Sequence, residues 1–171
     1  VASAPRSTVD QTFRGCHART MKQSICAILA LSLSCSTQLM AQERGTWRAA
    51  SKTAQSITGD VSISTEKLSI NFVTFPVAQI RSLNPAELKA AFDLDADPTG
   101  VGSLYKLNIP GEKKFLHKNS LCGGDDTQWM VTYAAGRSLQ LAFFSGPAMP
   151  VFTPEAIATT TNLCGTYAYV K

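Results

Sequence analysis

Apolar and polar residues alternate along much of the chain from residue 57 onward. Ile57, Val61 and Ile63 fall on one face, and Thr58, Asp60, Ser62 and Ser64 on the other. Leu68, Ile70 and Phe72 alternate with Lys67, Ser69 and Asn71 beyond a polar turn at Thr65-Glu66. Tyr105, Leu107 and Ile109 repeat the pattern against Lys106 and Asn108. A period of two marks a half-buried strand, because successive side chains point to opposite sheet faces. The clearest hairpin places Trp129, Val131 and Tyr133 along one strand and Leu139, Leu141 and Phe143 along the next. Gly136, in the connection between them, can take the positive φ that a tight turn requires. The segment from Leu163 to Val170 sets Tyr167 and Tyr169 on one face, and a further strand runs through Trp47.

Helical signals are sparse. Asn84-Pro85-Ala86-Glu87 opens a run to Phe92 with a capping residue, Pro at the first helical position and good helix formers. Thr153-Pro154-Glu155-Ala156 repeats that opening more briefly. Pro76, inside a strand-like run, predicts a bulge or an edge. The pattern therefore predicts an all-β domain, a small antiparallel barrel or strongly curved sheet of seven or eight strands with one or two short helices. Barrel closure is the natural way for so many short strands to avoid exposed edges.

The amino-terminal part reads differently. Met21-Lys22-Gln23-Ser24 places one positive charge before an apolar run from Ile25 to Leu33, and Leu39-Met40-Ala41 ends in a small residue. That order is the pattern of a secretory signal peptide over 21–41, with cleavage after Ala41. The apolar run, about ten residues, is too short to span a bilayer, which needs roughly 20. Residues 1–20 have no periodicity and read either as an upstream extension from a misplaced start or as a basic tail. The remaining 42–171 has the size of a single domain, expected to be exported to the periplasm or secreted, with no transmembrane segment.

This division changes the meaning of charge and cysteine. The whole chain carries +4, but Arg6, Arg14, Arg19 and Lys22 against Asp10 place +3 of that in residues 1–41. The domain is then close to neutral, and its cations are not clustered as a nucleic-acid-binding face requires. Cys16, Cys26 and Cys35 lie in the leader region, leaving Cys122 and Cys164. An even pair in an oxidising compartment reads as one disulfide. A lipid anchor at Cys35 is the alternative, disfavoured because Ser32 stands where a lipoprotein signal wants Leu.

No catalytic residue, metal site or cofactor is legible. Asp93, Asp95 and Asp97 alternate as cation ligands do, but an EF-hand loop would want Gly where Pro98 stands and Glu where Leu104 stands; an acidic solvated turn is the alternative. His117 is the single histidine beyond the leader, too few for zinc beside oxidised cysteines. Ser120 and Ser145 lack the glycine-flanked elbow of a hydrolase nucleophile. Asp125 and Asp126, beside Gly123-Gly124, read as a loop. The most distinctive apolar stretch, Phe143 to Pro154, holds three prolines. Within it Phe144, Met149, Val151 and Phe152 form a rim for a partner, or a lid on the core.

The triplets Leu121-Cys122-Gly123 and Leu163-Cys164-Gly165, with Thr127-Gln128-Trp129 and Leu141-Ala142-Phe143-Phe144-Ser145-Gly146, resemble a family of small exported Gram-negative bacterial β proteins with no assigned activity. Gly45-Thr46-Trp47 is more loosely similar to the Gly-x-Trp opening of lipocalin-like barrels and periplasmic inhibitor barrels, where the Trp plugs the barrel base. The resemblance brings no catalytic residue to carry over. The expected function is a non-enzymatic module for a small apolar ligand or an envelope partner, with Trp47, Trp129, Tyr133, Leu141 and Phe143 as the inward-facing side chains. The alternatives are a periplasmic protease inhibitor and a hydrolase with an unrecognised acid–base pair.

Overall fold

The chain forms a closed eight-stranded antiparallel barrel in which every strand pairs with its neighbours in sequence. The structure is a computed structural model and describes residues 42–95, 97 and 99–171; the expected leader lies outside the described residues. In order the elements are β1 (Gly45–Ala49), α1 (Lys52–Ile57), β2 (Val61–Ile63), β3 (Lys67–Ile70), β4 (Val73–Ser82), α2 (Pro85–Phe92), β5 (Val101–Ile109), a 3₁₀ turn (Leu116–Lys118), β6 (Thr127–Ala135), β7 (Ser138–Ser145), α3 (Pro154–Thr159) and β8 (Leu163–Val170). The barrel closes where Arg48 faces Val170 and Ala49 faces Tyr169. Because strands alternate in direction, two ends can be defined. The base carries the β2–β3, β4–β5 and β6–β7 connections; the crown carries β1–β2, β3–β4, β5–β6 and β7–β8.

Two apolar layers follow from the alternation. One set of side chains fills the barrel, with Trp47, Leu68, Ile70, Met130, Leu141 and Phe143 fully buried. Eight strands give an interior just wide enough for side chains to fill or for one small ligand. Here aromatic and branched residues occupy it, and side chains with no accessible surface leave no water-sized void beside them. The second set points outward from β5–β7 and is roofed by α2 and α3, so Leu104, Trp129, Val131, Tyr133 and Phe144 are buried too. Trp129 and Tyr133 therefore face out, under the helices, and not inward as the sequence pattern suggested. The β6 residues that enter the barrel are Met130, Thr132 and Ala134. Alternation identifies the two faces of a strand; when both are covered, it cannot say which is inside.

The helices are local solutions. Asn84 accepts from the Glu87 amide (3.0 Å) while Glu87 accepts from the Asn84 amide (3.0 Å), a reciprocal cap that starts α2. Leu88 then presses on β5 where Gly102 leaves room: a Cβ there would lie 2.3 Å from a Leu88 methyl and 2.8 Å from the Thr132 carbonyl oxygen. Thr153 caps α3. The expectation of one or two helices missed α1, which takes Ile57 out of the anticipated strand. α1 has a single buried residue, Ala54, with Ile57 partly buried against the core, and starts on Ser51, whose hydroxyl accepts from the Ala54 amide; six residues with two apolar positions leave no helical period to read. Phe72, expected on the strand face with Leu68 and Ile70, is a turn residue instead, because Ile70 pairs with Val73 and only Asn71-Phe72 connect them. Pro76 sits at a local edge, as its residue type predicts, because β5 does not pair with the first residues of β4. It faces Lys67 of β3 and precedes the first β4–β5 pair at Val77–Leu107, so no ladder lacks its missing N–H.

Cys122 and Cys164 form a disulfide with Cα atoms 4.7 Å apart. It ties the β5–β6 connection to the start of β8 at the crown. Among the described residues no helix is long and apolar enough to cross a membrane.

Candidate functional site

At the base, the residues just before β1 fold into the barrel mouth. The Trp47 indole donates to the Glu43 carbonyl (3.0 Å), closing a four-residue loop that swings the Glu43 side chain inward. Its carboxylate accepts from Ser103 Oγ (3.0 Å) and Tyr105 OH (2.8 Å), and Gln79 Nε2 donates to the same Ser103 oxygen (3.0 Å). Glu43 is 3% exposed. Burial pushes its carboxyl above the usual range, against the hydrogen bonds from Tyr105, Thr132 and Ser103 and the Arg44 charge, which pull the other way. The Tyr105 hydroxyl is pushed well up by its own burial and by Glu43. The cluster is satisfied within itself, since among the described residues no buried side-chain polar atom lacks a partner. Among the described residues it holds one carboxylate, 3% exposed, with no second carboxylate hydrogen-bonded to it. Its role is to plug the base. The sequence reading passed over Glu43; the available signal was a Glu one turn ahead of a Trp expected to plug a barrel.

At the crown, the β7–β8 connection and α3 enclose a half-open groove of about 290 Å³. Phe144, Ala148, Met149, Pro150, Val151 and Ile157 line it, with Ser145 and Asn162 at its polar edge. Met149 and Val151 are exposed at the lip, whereas Phe144 and Phe152 lie beneath, ring edge to ring face 6.0 Å apart. The four residues read as a rim thus split. Phe144 and Phe152 belong to the outer apolar layer, and Met149 and Val151 present apolar surface to solvent. The groove keeps its shape because the Ser145 amide donates to the Asn162 carbonyl (2.9 Å), the Trp129 indole donates to the Gly146 carbonyl (3.2 Å), and prolines fix the backbone on either side. A second hollow, of about 730 Å³, is an open furrow along β3–β4, among Glu66, Lys67, Thr74, Pro76, Val77 and Gln79.

The remaining residues singled out from sequence do not assemble. Asp93 ends α2 in the left-handed region, Asp95 pairs with Lys89 (2.6 Å), and Asp97 accepts from the Thr99 amide (2.7 Å) and hydroxyl (2.6 Å). Among the described residues no three His, Cys, Asp or Glu side chains converge as metal ligands would. Asp126 accepts from the Gly111 amide (2.9 Å), and Ser120 donates to the Gly123 carbonyl; among the described residues no hydrogen bond links His117 to Ser120 or Ser145. Of the five side chains expected to face inward, Trp47, Leu141 and Phe143 share the barrel interior while Trp129 and Tyr133 lie in the outer layer.

No protein-family model matches the chain, and neither a curated protein nor a solved structure was found to match it.

Proposed function

We propose that the domain is a non-enzymatic binding module of the cell envelope, and that it binds at the crown groove rather than inside the barrel. The observation that carries this reading is the groove itself, an apolar, half-open recess with Met149 and Val151 exposed at its lip. Apolar recesses with a few polar groups at the edge are where small ligands and anchor side chains bind. The interior, by contrast, is filled by the protein's own side chains. A disulfide fits an oxidising compartment, and export through the expected leader would deliver the domain there. The hydrolase alternative loses support because, among the described residues, the one buried carboxylate is Glu43, and no second carboxylate stands beside it.

The test is titration with an apolar fluorescent probe such as anilinonaphthalene sulfonate, on the wild type and on Met149→Asp and Val151→Asp, with circular dichroism as the fold control. Saturable enhancement in the wild type, lost in both folded variants, supports the groove. Equal enhancement in all three, or none in any, overturns it.

A further inference from the structure

Phe72 is fully exposed, and it stands where an aromatic residue is least expected. Asn71 and Phe72 form a two-residue hairpin connection with φ of 47° and 64°. Positive φ at both central positions is the geometry for which Asn-Gly is strongly preferred, because Gly has no Cβ to clash. Asn71 fits; Phe72 does not, and a bulky residue in this region is strained. Yet the tip is held firmly. Ile70 pairs with Val73, and across the outer face the Ser69 and Thr74 hydroxyls are hydrogen-bonded at 2.9 Å. The chain keeps a phenyl ring in water, on a backbone tip held by the hairpin, at a position where glycine would be more stable. Strain maintained against stability at one spot points to function.

Among the described residues the large exposed apolar side chains are Phe72, Ile80, Met149 and Val151. Three of the four belong either to this knob or to the lip of the crown groove. The groove, about 290 Å³, exceeds the roughly 150 Å³ in which a benzene molecule fits. Its apolar lining matches a ring that carries no polar atom. Both features sit at the crown: the β3–β4 and β7–β8 connections lie on opposite sides of the same barrel end. Two such barrels stacked crown to crown, about a twofold axis perpendicular to the barrel axis, bring each knob to the other's groove. The contact is reciprocal and closed, so it gives a dimer and not a filament.

We infer that Phe72 of a second copy of this chain occupies the crown groove, in a symmetric crown-to-crown dimer. This rests on the reading of the groove as a binding site and names its occupant. A lipid surface fits the knob less well, because the tip around Phe72 presents Asn71, Ser69 and Thr74 and no second exposed apolar side chain. The rigid tip lowers the ordering cost of docking, as expected of an anchor residue. A ligand that fills the groove would compete with Phe72 and release monomers.

The experiment is sedimentation velocity over a wide concentration range on the wild type, Phe72→Gly and Val151→Asp, then on a mixture of the two variants. The wild type is expected to dimerise and each variant to sediment as a monomer. Phe72→Gly should also melt a few degrees higher, which separates loss of the knob from loss of the fold. The mixture should recover part of the association, because one variant keeps the groove and the other the knob, so one of the two reciprocal contacts survives. A wild-type monomer at every concentration overturns the inference, as does a dimer that persists in both variants or a mixture that stays monomeric. Vesicles of phosphatidylglycerol that bind the wild type but not Phe72→Gly would assign the knob to lipid and overturn it too. A monomeric wild type that still binds the fluorescent probe in a Val151-dependent way would refute the dimer alone and leave the groove reading standing.

Discussion

Glu43 shows how much a single residue can do that a strand pattern does not reveal. Its folded-state carboxyl titrates above its ordinary value of 4.5, so the folded protein binds that proton more tightly than the unfolded chain. The stability it contributes is full below about pH 4.5 and is lost as pH rises through the higher folded value. Glu87 acts in the opposite sense. The Arg81 guanidinium, at 2.6 and 2.9 Å, holds it below the usual range, and its contribution disappears on acidification. The difference between wild type and Glu43→Gln isolates the first effect: the variant should gain melting temperature relative to wild type as pH rises from about 4.5 toward neutral. Calorimetry across that range checks it, and a constant difference would refute it. Phe72 is the other residue of consequence, and its neighbourhood was misread for a physical reason. Alternation places it with Leu68 and Ile70, and nothing in residue type announces a left-handed turn at Phe, since the usual glycine is missing.

At the scale of elements, the legible features were those with a strong local signal. Asn84-Pro85 and Thr153-Pro154 marked two helix starts, and both are present; Gly136 marked the β6–β7 turn, where its φ is 57°. What remained hidden was orientation, since Trp129 and Tyr133 alternate as well on an outer face roofed by helices as on an inner one. The roof gives two predictions. Asn84→Ala removes half of the reciprocal cap and should cost about 1 kcal/mol in chemical denaturation. Gly102→Ala forces α2 away from β5 and should cost roughly 1–3 kcal/mol, in the range of overpacked cores. Adding Leu88→Ala should not restore stability, because the Thr132 carbonyl still crowds the new methyl.

For the whole molecule, barrel closure was legible as a class and its packing was not. Strand number and the need to hide edges pointed to a barrel, but the interior filling depends on which residues meet across it, such as the edge-to-face pair Phe143 and Tyr167 at 5.4 Å. The crown groove depends on the path of the β7–β8 connection, which no periodicity encodes. The disulfide was legible by counting, and it closes a separation of 42 residues. In the chain-entropy account such a loop is worth roughly 4 kcal/mol. Replacing both Cys122 and Cys164 by Ser should lower the urea midpoint accordingly, and hydrogen exchange should show the β5–β6 connection opening first. An unchanged midpoint would mean that the unfolded chain gains little freedom there.

The Lys171 side chain reaches the Arg44 carbonyl (3.0 Å) and lies over the Trp47 ring, 4.2 Å from its centre. Residues 42 and 171 thus meet at the base, although β1 and β8 are made at opposite ends of the domain's sequence. The order of synthesis is therefore separable from the order of strands around the barrel. A circularly permuted chain, with a short glycine-serine linker joining 171 to 42 and new termini opened between Gly136 and Arg137, should reach the same fold. In it the β1–β8 pairing would become local and the β6–β7 pairing remote, so comparing its refolding rate with the natural order would show which seam of the barrel closes last.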